Sequence, residues 1–357
     1  MISNPVSSRW RAWCRASGLG LILCFFIACG SEEGLSPSSD IPVITTAPQD
    51  STATADSLLP PVDSATPTDT TTSTDSIPVI STLGGSTAPG IVFGSAQLLP
   101  SALNAVHTGT LMGGQIDTTN ALSLLRATQA KGGRMVIKMC RGRDDFVKNA
   151  DGTFSFTKWK ALVDRFKKVN LGPFIADGTI LGHYLIDEPH RTARWGGKII
   201  PPATLEAMAK YSKTIWPEMT TFVRVVPSWL ETARVTFVDL DAAWLQYEAW
   251  RGDVTKVLTA EIAAAKRQGL GLAVGLNLLD GGNGTSRIAG WTRGKYAMSA
   301  TEIRNYGTAL LKSDNQYSCA FYNWMWDSPY YGRSDIKIAL SDLATKARLH
   351  GKTSCRQ

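Results

Sequence analysis

From residue 91 onward, short apolar runs alternate with longer stretches in which apolar residues recur every three or four positions. Seven runs read as buried strands: Ile91–Gly94, Met135–Met139, Ile180–Ile186, Phe222–Val226, Ala242–Tyr247, Leu272–Asn277 and Ala320–Trp326. Helical periodicity fills Thr119–Ala130, Thr157–Lys168, Ala203–Trp216, Val254–Gln268, Thr301–Ser313 and Ile336–Leu349. Strands alternating with helices imply a parallel sheet with helical crossovers. Residues 91–357 make 267 residues, close to the roughly 250 of a (β/α)8 TIM barrel. Closing a barrel needs an eighth strand, and Val106–Met112 is the best candidate, which leaves a very short helix after the first strand. An open doubly wound sheet is the alternative, but no Gly-rich phosphate loop follows any strand.

The first ninety residues have another texture. Arg9, Arg11 and Arg15 precede an apolar segment, Leu19–Ala28, of ten residues. A membrane-spanning helix needs about 20, so residues 1–28 read as a signal peptide. Phe26-Ile27-Ala28-Cys29 resembles a lipobox, which implies cleavage before Cys29 and lipidation of its thiol. That chemistry predicts a membrane partner through lipid on Cys29 and an extracytoplasmic location, at the outer membrane or cell surface. Residues 29–90 are dominated by Ser, Thr, Pro and Asp, without apolar periodicity, and read as a disordered linker. A flexible chain of that length reaches roughly 45 Å.

Charge is unevenly placed. The chain carries a net +7, with three arginines before Cys29 and eight acidic residues but no Lys or Arg in 29–90, which leaves +12 on residues 91–357. A basic domain can attract an acidic polymer. No run of five Lys or Arg and no nucleic-acid motif occurs, so nucleic acid is not an expected partner and a monomer is expected. Of the six cysteines, Cys14 and Cys24 leave with the signal peptide. Cys319 opens the last strand and Cys355 follows the last helix, so both belong at the bottom of a barrel, and a disulfide between them is expected after export. Cys140 ends a strand at the other face and should stay a free thiol. No Cys/His spacing suits a metal, and no cofactor is implied.

Active sites of such barrels sit at the C-terminal strand ends. Those ends carry Arg141, Asp187-Glu188-Pro189-His190, Arg224, Gln246-Tyr247-Glu248, Asn277 and Asp280, then Trp324, Trp326 and Asp327. Paired acids, aromatic faces and an arginine suit carbohydrate. His183-Tyr184-Leu185-Ile186-Asp187-Glu188-Pro189 resembles the fourth-strand motif of the large clan of (β/α)8 glycoside hydrolases, clan A, whose Asn-Glu-Pro supplies an acid/base glutamate. The resemblance implies Glu188 as the acid/base, with Asp187 in place of the clan's Asn. It implies a nucleophile at the end of the seventh strand, where Asp280 is the acid available. It also implies a sugar-flooring tryptophan at the end of the eighth, Trp324 or Trp326.

Glu248 is the rival second carboxylate and Asp327 a third. Arg141, Asp187, Tyr184, Arg224, Tyr247, Asn277, Trp324, Trp326 and Asp327 are the candidate substrate contacts, while His183, mid-strand, is a core histidine. Two classes stay open: a glycoside hydrolase working with two carboxylates, and a non-catalytic barrel that binds glycan or a partner with the same rim.

Overall fold

The computed structural model describes residues 90–312, 316–351 and 354–356. Cys29, the signal peptide and the linker lie outside the described residues. Eight parallel strands close in sequence order into a barrel: β1 (Val92–Ala96), β2 (Gly109–Met112), β3 (Arg134–Ile137), β4 (Ile180–Asp187), β5 (Thr221–Arg224), β6 (Ala242–Tyr247), β7 (Gly271–Leu276) and β8 (Ser318–Asn323), with β8 pairing back onto β1. The open doubly wound sheet is thereby excluded. Val106–Met112 does contain a strand, though only Gly109–Met112 pairs.

The outer layer holds α1 (Ala121–Ala130), α2 (Phe156–Asp164), α3 (Gly172–Ala176), α4 (Pro202–Ile215), α5 (Pro227–Leu230), α6 (Val254–Arg267), α7 (Ala300–Leu310), α8 (Ser328–Gly332) and α9 (Ser334–Leu349). Two crossovers are thin. A single 3-10 turn, Pro100–Ala102, joins β1 to β2, and the four-residue α5 is the one helix described in the β5–β6 connection. Local chemistry sets the starts of the long helices. Ser155 and Asp253 cap α2 and α6 by accepting backbone N–H bonds, and Ser299 with Glu302 forms a reciprocal capping box on α7.

Aromatic side chains fill the barrel interior. Tyr184 on β4 meets Trp244 on β6 edge-on at 6.0 Å between ring centres, and Trp244 meets Tyr322 on β8 at 6.5 Å. These strands are not neighbours, so the contacts must cross the inside of the barrel, which is a packed core and not a pore. His183 faces outward from β4. It is fully buried, its Nδ1 lies 2.9 Å from Ser212 Oγ of α4, and its ring stacks on Trp159 of α2. At the bottom, Cys319 and Cys355 form a disulfide with Cα atoms 4.9 Å apart, while Cys140 is free and buried.

Candidate active site

Strand alternation decides which side chains reach the mouth. Gln246, two residues beyond Trp244, points into the mouth and accepts from Arg224 at the end of β5. Arg224 also donates through Nε to Asp187 and through Nη2 to Glu188 Oε1 at 2.9 Å. Asp187 closes β4 and is committed on every side. It accepts from Tyr184 Oη at 2.7 Å and pairs with Arg194 Nη1 at 2.8 Å as well as with Arg224. Burial alone would raise its pKa, but Arg194, Arg224 and Lys138 outweigh that and hold the carboxyl well below the usual range.

Glu188 follows with φ +43°, a left-handed backbone that costs a non-glycine residue of order 1–3 kcal/mol. Its surroundings impose that conformation. The Glu188 N–H donates to Arg224 O at 3.1 Å, and Trp195 Nε1 donates to Glu188 O at 2.9 Å. Three guanidiniums surround the carboxylate: Arg224, Arg191 Nε at 3.3 Å and Arg194 Nη1 at 2.8 Å. Arg194 also pairs with Asp144, whose Oδ1 lies 3.7 Å from Lys138 Nζ. Arg194 therefore serves three carboxylates, and the β3, β4 and β5 ends are tied into one network.

Glu248 rises from the end of β6, half-buried. Its Oε1 accepts from Asn277 Nδ2 at 3.0 Å and its Oε2 from Trp250 Nε1. Those donors are neutral, whereas those on Glu188 are cationic. Arg251, three residues on, lies in the field of both acids. Burial lowers its pKa; Glu248, Glu261 and Glu188 oppose this, and Arg224 adds to it. Arg224 links the ends of β4 and β6 directly, through Glu188 and Gln246.

Several sequence candidates are placed elsewhere or are otherwise engaged. Asp280 is turned into its own loop, accepting from Thr292 N at 2.8 Å and Thr292 Oγ1 at 2.7 Å. Gly290 lies so close that a Cβ there would sit 2.6 Å from Asp280 Oδ1. That makes Asp280 the buckle of the loop after β7, with both oxygens engaged by Thr292. Tyr247 is no rim residue. Alternation turns it outward onto Tyr306 of α7, with ring centres 4.9 Å apart, and its hydroxyl donates to Gly252 O. Trp326 packs on Tyr331 at 4.5 Å and His107 at 5.6 Å, on the flank of β1, and Asp327 caps α8 by accepting from Tyr330 N at 2.8 Å.

Tyr184 sits beneath Asp187 as its support, and Arg224 is taken up by the network. Asn277 stands at the mouth, bonded to Glu248, and Trp324 is half-buried beside it, bridging in parallel to Asn277. Arg141 keeps a rim position, with φ +69°, its guanidinium 4.7 Å from the Phe146 ring centre and 3.9 Å from Asp117. Sequence reasoning missed Arg194, Arg251, Trp250 and Lys138. Arg194 follows Glu188 by six residues in a stretch with no periodicity, and only its three-residue spacing from Arg191 hinted at a shared face. Among the described residues no group of three or more His, Cys, Asp or Glu could hold a metal ion.

No family model matches this chain, and no curated protein does. Solved structures with a similar fold do exist. A glycoside hydrolase family 5 mannosidase from Rhizomucor miehei is 8% identical, with 75% of this chain and 97% of that one covered, at a TM-score of 0.48. The β-glucanase SdGluc5_26A from Saccharophagus degradans is 10% identical, covering 73% and 88%, at 0.49. A GH113 β-1,4-mannanase is 8% identical, covering 72% and 99%, at 0.49. At such identities the likeness is one of architecture.

Proposed function

We propose that this barrel is a glycoside hydrolase that cleaves a glycosidic bond of an oligo- or polysaccharide with Glu188 and Glu248 as its two carboxylates. The observation that carries the reading is Glu188 itself: a carboxylate held in strained left-handed backbone at the end of β4, opening onto the mouth. Two-carboxylate hydrolysis needs one partner that is an anion and one that delivers a proton. Arg191, Arg194 and Arg224 fit Glu188 to bear negative charge, as nucleophile or as base for a water. With that part taken by Glu188, the delivery of the proton is assigned to Glu248, at the end of β6. This reverses the part that the Asp-Glu-Pro resemblance implies for Glu188. Trp250 and Trp324 offer aromatic faces to sugar rings and Arg141 a clamp at the β3 side of the rim.

A second reading is favoured by Asn277. It stands at the end of β7, where the resembled clan carries its nucleophile, so the same mouth could hold a glycan without cleaving it. Release of reducing ends from a panel of polysaccharides by the purified protein separates the two. Turnover on any member supports the hydrolase, and binding to a member with no turnover on any supports the glycan-binding barrel. The reading extends to location through the sequence alone: lipid on Cys29 holds the domain outside the cytoplasm, with residues 30–90 as its tether.

A further inference from the structure

On the rim between β4 and β6, two basic side chains are built into place without an acceptor. Arg251 ends the turn Ala249–Arg251 that follows β6, with its guanidinium 4.8 Å from the Trp250 ring centre. Its Nε is buried and has no hydrogen-bond partner. Among the described residues no carboxylate lies within salt-bridge distance of it, although Glu248 and Glu188 are near enough to act on its charge. His190, two residues after Glu188, tilts against Trp229 with ring centres 5.9 Å apart, and its buried Nδ1 is likewise unpartnered. The turns that carry Trp229 and Arg251 both pack on α6. Burial lowers the pKa of His190; Glu188 opposes this, and Arg191, Arg224 and Arg251 add to it.

A guanidinium stripped of part of its water without an anion is costly, and so is a buried ring nitrogen without a partner. Elsewhere in this mouth the arginines are matched: Arg194 serves three carboxylates and Arg224 two. Arg251 has no such match, and the planar fork of a guanidinium matches a carboxylate in two parallel bonds.

We propose that Arg251, with His190 beside it, forms a subsite for the carboxylate of an acidic sugar, so that the substrate of this barrel is a uronic-acid-containing glycan. The subsite adjoins Glu188 and Glu248, which places the acidic residue next to the bond being cleaved. The Trp250 and Trp229 rings lie against the two basic groups. The +12 of residues 91–357 would draw such a polyanion toward the domain. This inference rests on the glycan-processing reading and narrows it.

The test is calorimetric binding to two matched panels at moderate salt. One holds uronic-acid oligosaccharides (oligogalacturonate, oligoglucuronate, oligomannuronate). The other holds neutral galacto-, gluco- and manno-oligosaccharides of the same length. The proposal expects the tightest ligand among the uronates. Arg251→Gln should weaken that ligand by about tenfold or more. Arg251→Lys, which keeps the charge but loses the fork, should fall between the two. Lys346→Gln, an exposed charge change on α9, should leave it within twofold. If only neutral sugars bind, or if Arg251→Gln and Lys346→Gln cost the same, the subsite is wrong while the glycan reading stands. If neither panel binds, the glycan reading fails and this inference with it.

Discussion

Replacing Arg224 by Met should expose how much the carboxylate pair at the end of β4 depends on its cations. The change removes bonds to Asp187, Glu188 and Gln246 but keeps a long apolar stem. The side chains of Asp187 and Glu188 are only 15% and 13% exposed, so neither can turn to water. Each charge-assisted bond is worth about 1.5–3 kcal/mol, and two of them bound the loss at about 3–6 kcal/mol. Arg194 still holds both acids, which brings the expectation to about 3–4 kcal/mol, in the range for breaking a buried pair. Urea unfolding at pH 7, followed by far-ultraviolet circular dichroism, measures it.

The deficit also has a definite pH dependence. The pKa of Asp187 in the folded protein lies well below its ordinary value, so its contribution is fully present above that ordinary value and fades as pH falls beneath it. The variant has less of that contribution to lose. The gap between the two proteins should therefore be widest at neutral pH and shrink below about pH 4. A deficit under about 1 kcal/mol at pH 7, or one that widens in acid, would refute the argued coupling.

His183 and His107 are buried, and burial pulls their pKa down to about 3 and about 4. Both lie below the unfolded value, so stability is complete above about pH 6.5 and falls as pH drops, by about 2 kcal/mol per histidine at pH 5; unfolding curves identical at pH 7 and pH 5 would contradict this. The Cys319–Cys355 bridge closes a sequence separation of 36 residues, so Cys355→Ser should lower stability by about 3–4 kcal/mol, and urea curves unchanged by the substitution would show that the bridge carries no such weight. Cys29→Ser should abolish labelling of the chain with radioactive palmitate in a bacterial host and release it from the membrane fraction; continued labelling would rule out lipid on that residue.

Much of the barrel was legible because parallel strands buried on both faces leave continuous apolar runs, and each of the eight runs overlaps a strand. β2 was the hardest to see, since only four of the seven residues in Val106–Met112 pair and no helix precedes it. Strand ends were legible too, which is how Glu188, Glu248 and Asn277 came onto the page. Orientation was the harder matter. Tyr247 and Glu248 are adjacent, yet alternation sends one outward to α7 and the other to the rim. The same difficulty hid Trp326 on the flank of β1. A carboxylate that buckles a loop and one that attacks a sugar look identical in sequence, so the pairing of Asp280 with Thr292, twelve residues away, was not legible there. Arg194 and Arg251 were missed because both sit in 3-10 turns, where neither helical nor strand periodicity marks the face a side chain takes.

The proposed chemistry needs both carboxylates at the mouth, and the direct measurement is turnover by Glu188→Gln and Glu248→Gln on whichever glycan the wild-type protein cleaves. Each variant should lose turnover by at least about a hundredfold, with the glycan bound as tightly as by the wild-type protein and the unfolding curve of Glu248→Gln little changed. Retention of wild-type turnover by both variants would contradict the proposed chemistry.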